Sequence, residues 1–234
     1  MIAFHEVSKR YNSLAALADV SFEIENGEFV FLLGPSGAGK STLLKLIIRE
    51  EVPSAGRVFF DGLEINKIPT RQVPALRRRV GTIFQDFKLL PQRTVFENVA
   101  FPLEIIGLDD DEIEKSTSET LSLVNLDQRA SNFPDQLSGG EAQRTAIARA
   151  MVMRPEVILA DEPTGNLDPA SAWEVMKLLD RLNSLGTTVV MASHNMDITS
   201  SLPHRNLEIA EGRIVNDTKQ KKTKTSERKE KIVK

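Results

Sequence analysis

The sequence predicts an α/β fold, a mainly parallel sheet flanked by helices, and three observations carry that expectation. Apolar runs rich in strand formers recur along the chain at 29–33, 80–84, 157–160 and 187–192. Between them stand stretches with helical patterning, among them 43–48 and 142–152. A glycine-rich loop joins the strand at 29–33 directly to the helix that continues from Leu43. Alternating strands and helices of this kind fold as strand–helix units in which each helix packs back on the sheet.

The loop reads Gly34-Pro35-Ser36-Gly37-Ala38-Gly39-Lys40-Ser41-Thr42 and fits the phosphate-binding pattern G-x-x-x-x-G-K-[ST]. Its glycines let the backbone wrap tightly, so that N–H groups converge on phosphate oxygens at a helix N-terminus. Lys40 can reach the β- and γ-phosphates, and the Ser41 hydroxyl can ligate Mg²⁺. A chance match is the bland alternative. The strand before and the helix after argue against it, so the stretch reads as a nucleotide-binding loop.

Composition bounds the rest. The 234 residues suffice for one domain with a subdomain, and 41% hydrophobic with 27% charged residues is ordinary for a globular protein. With no cysteine, neither disulfides nor thiolate zinc sites can form. No apolar run approaches the roughly eighteen residues of a membrane span, and the first residues resemble no signal or transit peptide. The expectation is a protein that stays in the compartment where it is made. Net charge is −3, but residues 218–234 hold eight Lys/Arg and two Glu, a +6 tail that leaves −9 on the body. An acidic body argues against nucleic acid as the main partner. The tail, lacking aromatics and apolar periodicity, reads as a disordered extension, with attraction to anionic lipid as the minority reading.

In chain order, strands are expected at 2–7 and 20–24, separated by a polar loop containing Tyr11-Asn12. After the Asn26-Gly27 turn comes the strand feeding the phosphate loop, and Pro53–Gly56 breaks the helix that follows. Strands follow at 57–60 and 80–84. From Thr94 to about Asn132 the pattern is helical and acidic, a helical insertion placed at about 90–136. Ser138-Gly139-Gly140-Glu141 has the S-x-x-E form of a capping box opening the next helix. Trp173, Met176, Leu179 and Leu182 recur at helical spacing and read as core. Short strands at 206–210 and 213–215 close a domain spanning 1–217.

Several strand ends carry chemistry. Asp161 and Glu162 leave the apolar strand at 157–160, where one carboxylate can serve a metal while the other addresses an attacking water. Paired carboxylates on a loop are commonly just solvated, but these terminate a buried strand. His194 ends the strand at 187–192, on the edge of the sheet where ligands of open α/β folds bind. Gln85 ends a third and can reach metal or water. The glycines after Ser138 leave helix N–H groups open to an anion, a second phosphate site. If one chain cannot bring both sites to one nucleotide, a two-fold dimer can.

Together these motifs resemble the nucleotide-binding subunit of ATP-binding-cassette (ABC) proteins, a P-loop NTPase family. Leu137-Ser138-Gly139-Gly140-Glu141 is similar to the family signature, and the likeness runs from about Ile2 to Val215. It implies an antiparallel β subdomain beside the parallel sheet, ATP and Mg²⁺ as ligands, and two ATP molecules sandwiched in a head-to-tail homodimer. It further implies Tyr11 stacking on adenine, Gln85 as the Q-loop residue, Glu162 as catalytic base and His194 as switch histidine. Asp161 and Ser41 fall to the metal, and Asn166-Leu167-Asp168 is similar to the D-loop that crosses the dimer interface. Within the family, residues 71–78 and 84–90 resemble the bacterial cell-division ATPases. That likeness implies a polytopic membrane partner, further division proteins, and a peripheral place at the cytoplasmic face of the membrane. Lipoprotein-release and macrolide exporters share the chemistry and differ in partner. ABC ATPases acting on DNA or ribosomes usually carry two cassettes or a coiled-coil insertion, and a phosphotransferase has no use for the signature. Arg49-Glu50-Glu51 departs from the family, which carries a small glycine-containing segment there.

Overall fold

The computed structural model describes residues 1–195, 199 and 201–219. The chain order is β1 (Ile2–Tyr11), β2 (Leu14–Ile24), β3 (Phe29–Leu33), α1 (Lys40–Ile47), β4 (Ala55–Phe60) and β5 (Leu63–Glu64). Then come α2 (Val73–Arg78), β6 (Val80–Phe84), α3 (Val95–Ile106), α4 (Asp110–Leu123), α5 (Gly139–Met151), β7 (Val157–Asp161) and α6 (Pro169–Ser184). β8 (Thr188–Ser193), β9 (Arg205–Ala210) and β10 (Arg213–Asp217) end the described fold. The chain divides into two compact units, one formed by Met1–Thr70 with the residues from Val190 onward, the other by Arg71–Val189.

In the first unit, β2-β1-β4-β5 form the antiparallel sheet. Its inward face alternates along β1, where Ile2 and Phe4 are buried, and Phe4 stacks on its register partner Phe22 with ring centroids 4.7 Å apart. β1 and β2 run on well past the expected 2–7 and 20–24. Register shifts between Phe4 and Lys9, with Glu6 and Asp19 at positive φ, absorb extra residues as bulges and let the polar ends stay paired. The expected loop around Tyr11 thereby shrinks to the turn at Asn12. β3, buried at all five positions, pairs in parallel with β9, and β10 closes antiparallel on β9. Arg205 anchors this end, with Nη2 2.8 Å from Asp217 and Nη1 3.0 Å from Glu28, all three side chains mostly buried.

In the second unit, β6 and β7 pair in parallel, in register from Val80↔Val157 to Phe84↔Asp161. The helical insertion is made of α3 and α4. Thr94 and Glu97 form a capping box at the start of α3, and Gly107, at φ 75°, ends it. Along α6, Ala172, Val175, Met176, Leu179 and Leu182 are buried, as the spacing requires. Trp173 is not part of that core: it is 37% exposed, because the i, i+4, i+7 row reaching Met176 and Leu179 begins at Ala172. Lys177 lies over its ring instead. α2 has no counterpart among the expected elements; its Pro74 sits in the first helical turn, where proline is at home.

Among the described residues no helix is long and apolar enough to cross a membrane. Of the basic tail, 220–234 lie outside the described residues. Thr218 and Lys219 are bonded to the body: Thr218 Oγ1 accepts from the Asn206 amide at 3.0 Å, and the Lys219 ammonium is 2.6 Å from Glu25.

Candidate nucleotide site

In the first unit, β3 delivers the phosphate loop to α1. Gly39, the N-cap, has φ 111°, and a Cβ there would lie 2.7 Å from the Ala16 carbonyl oxygen, so only glycine fits. The loop is tied down by Ala38 N–H donating to Pro35 O at 3.2 Å and Gly212 N–H donating to Ala38 O at 3.1 Å. Lys40 is buried, its ammonium donating to Gly34 O at 2.8 Å and Pro35 O at 3.1 Å. The first turn of α1 contains no acidic residue and no side chain caps it. α3, α4 and α5 each begin with carboxylates in the first turn. The start of α1 therefore leaves its positive potential open to an external anion. Tyr11, half-exposed, ends β1, and exposed His194 directly follows β8.

In the second unit, the register of β6 and β7 sets the chemistry. Phe84 faces Asp161, so Gln85 and Glu162 leave neighbouring strand ends at one level. Glu162 adopts φ 50°, a left-handed conformation that costs a non-glycine residue on the order of 1 kcal/mol and recurs at functional turns. Gln85 is held by a reciprocal pair of bonds: its Nε2 donates to Asn166 Oδ1, and Asn166 Nδ2 donates to its carbonyl, both at 3.1 Å. A Cβ on Gly165 would sit 2.8 Å from Gln85 Nε2, so a side chain there would displace the end of the glutamine.

The capping box at α5 forms as its sequence implies. Ser138 Oγ accepts from the Glu141 amide at 3.3 Å, and the Glu141 carboxylate accepts from Ser138 N at 2.9 Å and Oγ at 2.8 Å. These bonds to Ser138, followed by the Arg129 guanidinium 2.7 Å away, pull the Glu141 pKa down to about 2. The charge that Glu141 places at this helix start is thus consumed locally. The amides of Gly139 and Gly140, at the first helical positions, have no acceptor within the helix. Asp168 is committed to a structural task, capping α6 by accepting from the Ala170 and Ser171 amides at 3.0 Å each. Those bonds, with the Ser171 side chain foremost, hold its carboxyl below the usual range.

The family model described as ABC transporter matches residues 17–165. Two cell-division ATP-binding proteins named FtsE are similar along nearly their whole length. That of Bacillus subtilis is 52% identical, covering 93% of this chain and 96% of the relative. That of Escherichia coli K12 is 50% identical, covering 92% and 97%. The chain belongs to the ABC transporter family.

Solved ABC structures agree. The dimeric ATP-binding cassette MJ0796, in a post-hydrolysis state bound to ADP and Pi, superposes with a TM-score of 0.84 at 36% identity, covering 93% of this chain and 97% of that one. CbiO1 of Clostridium perfringens gives 0.87 at 31%, covering 97% and 91%. As an ABC cassette the chain is an ATPase: it binds ATP and hydrolyses it. The expected α/β P-loop fold stands.

Two residues that organise the segment after β6 are absent from the sequence-based candidates. Asn98, fully buried in α3, accepts from the Leu90 amide at 2.8 Å and donates to the carbonyls of Leu90, Arg93 and Thr94. Arg149 of α5 donates to the carbonyls of Phe87 and Lys88, two residues at positive φ, and burial lowers its pKa. Both act through partners that only the folded chain brings to them, and no local pattern marks them.

Proposed function

We propose that this ABC cassette is the ATPase subunit of a bacterial cell-division complex. In this reading it docks on a polytopic membrane protein of the FtsX kind, at the cytoplasmic face of the plasma membrane. ATP-driven closure of a head-to-tail homodimer then transmits motion that controls peptidoglycan hydrolases across the membrane. The observation that carries the reading is identity near one half, over nearly the full chain, to FtsE proteins of distant bacteria.

Within it, the 34–42 loop and Lys40 bind the triphosphate, Tyr11 stacks on the base, and the Ser138–Gly140 amides close on the γ-phosphate from the partner subunit. Glu162 orients the attacking water and accepts its proton, with His194 and Gln85 assisting. Mg²⁺ fits this donor set. Among the described residues no three His, Cys, Asp or Glu side chains cluster as a metal cage, and phosphate-bound Mg²⁺ needs only one or two protein ligands. Ser41, Asp161 and Gln85 would hold it, and the ion would neutralise charge on the phosphates.

The docking face is a groove of about 880 Å³ between α2, β6, α3 and α5, whose apolar lining includes Phe84, Leu90, Phe101, Ile105 and Ile106. Leu90 and Phe101 line it, and the nearby Phe87 and Leu89 do not. Arg77 and Arg78 are among its lining residues, so the segment that fits is apolar with an acidic flank. The test is co-purification with the four-span membrane protein encoded in the same genome, together with division in cells carrying Glu162→Gln as sole copy. Capture and a division block are expected. Failure to capture the partner, or normal division by the variant, overturns the reading.

A further inference from the structure

Behind Tyr11 the first unit carries an ion pair that the ATPase reading leaves unused. Lys9 and Tyr11, two apart on β1, project to the same side of the strand. The Lys9 ammonium lies over the Tyr11 ring, 4.9 Å from its centroid. It donates to the Val52 carbonyl at 2.8 Å and pairs with Glu51 Oε2 at 2.6 Å. The Lys9 side chain is only 12% exposed, so a lysine on a strand end is held, not waving in solvent. Glu51 is held below the usual carboxylate range, by Lys9 first and by the Tyr11 hydroxyl as well.

Glu51 lies in the turn that leaves α1. Its amide and that of Glu50 donate to Lys45 O, closing the helix. A few residues on, the turn is sewn to β1, with Ser54 N–H on Ser8 O at 2.8 Å and Arg10 N–H on Ser54 Oγ at 3.0 Å. The far end of the phosphate-loop helix is thus locked to the strand that carries the tyrosine.

We propose that Glu51, acting through Lys9, is a positioning residue for the base of the nucleotide: it fixes the Tyr11 ring with a cation on one face and leaves the other face to the purine. The proposal rests on Tyr11 being the base platform. A cation held behind the ring prevents it from swinging and draws π density toward itself, so an electron-rich purine stacks on the opposite face against a poorer ring. Without Glu51 the ammonium is tethered by one carbonyl alone, and both effects weaken.

Tyr11 is the only tyrosine of the chain, so 3-fluorotyrosine gives a single ¹⁹F resonance at the site in the full-length protein. ATPase kinetics, this resonance, and competition by inorganic triphosphate, which has phosphates and no base, are compared for wild type, Glu51→Gln, Lys9→Gln and Tyr11→Ala. Glu51→Gln and Lys9→Gln are expected to raise the KM for ATP by about three- to tenfold with kcat changed less than about twofold. The free-protein resonance should move, and triphosphate affinity should stay as in wild type. Glu51→Asp, which keeps the charge, should recover part of the loss. If Tyr11→Ala leaves the KM for ATP unchanged, the base-platform reading is what fails. If Tyr11→Ala raises it while the Glu51 and Lys9 variants leave KM and resonance as in wild type, the positioning role is wrong. Equal loss of ATP and triphosphate affinity would place Glu51 with α1 and the phosphate loop, and would also overturn the proposal.

Discussion

Glu141 offers the prediction whose size can be worked from the structure. Its pKa is held near 2 against an ordinary 4.5, by Ser138 first and Arg129 after it. At 1.36 kcal/mol for each pH unit, that difference caps the contribution of the ionised side chain at about 3 kcal/mol. Glu141 is partly exposed and the Arg129 half of the pair is about half solvent-facing, so screening brings the expected value to about 1–2 kcal/mol. Glu141→Gln keeps the shape and can still close the capping box, but it removes the charge. Because the folded pKa lies below the unfolded one, the stabilisation is complete above about pH 4.5 and is lost as pH falls through that value toward 2. Urea unfolding of wild type and variant near neutral pH should therefore differ by about 1–2 kcal/mol, and the gap should narrow steadily once the pH drops below about 4.5. Ser138→Ala, which removes the reciprocal cap, should cost about 1 kcal/mol by itself. A Glu141→Gln gap of constant size across that pH range would show that the charge does nothing and that only packing distinguishes the two side chains.

Glu162→Gln should lower turnover by roughly 100-fold or more, bind ATP at least as well, and accumulate dimer on size exclusion with ATP and Mg²⁺. Wild-type turnover in that variant removes Glu162 from its role. Lys40→Ala should weaken ATP binding and stay monomeric in the same column run. Leu90→Glu or Phe101→Glu should abolish capture of the membrane partner while ATP binding persists, and normal capture by both puts the docking face elsewhere. Truncation after Lys219 should leave hydrolysis unchanged, and a large loss of activity would show that the remaining tail packs on the body.

What the sequence disclosed and what it hid divide along physical lines. Local chemistry was legible. The phosphate loop, the S-x-x-E box at Ser138 and the buried strands at 29–33 and 157–160 are written in adjacent residues, and the structure forms each as its local code demands. Trp173 misled because a helical period tolerates more than one starting residue, and the smaller Ala172 took the buried row. β1 and β2 were read too short because bulges at Glu6 and Asp19 break the alternation that marks a strand. Long-range pairs left no trace at all. Gln85 and Asn166 are 81 residues apart, Arg149 meets Phe87 across 62, and Lys9 is 42 positions from Glu51. No periodicity encodes such meetings, which exist only once the strands are in register.

The Gln85–Asn166 pair has a consequence of its own. Its two bonds run in opposite directions between carboxamides and a backbone carbonyl, so no group in the pair gains or loses a proton at any pH where the protein is folded. A carboxylate in either place would make the junction sensitive to acidity and to salt. An uncharged one is indifferent to both and answers only to mechanical separation. Both bonds join the same two residues, so a displacement of either loop loads both at once. The segment after β6 and the segment before α6 are therefore coupled by a link whose strength the acidity of the medium does not set.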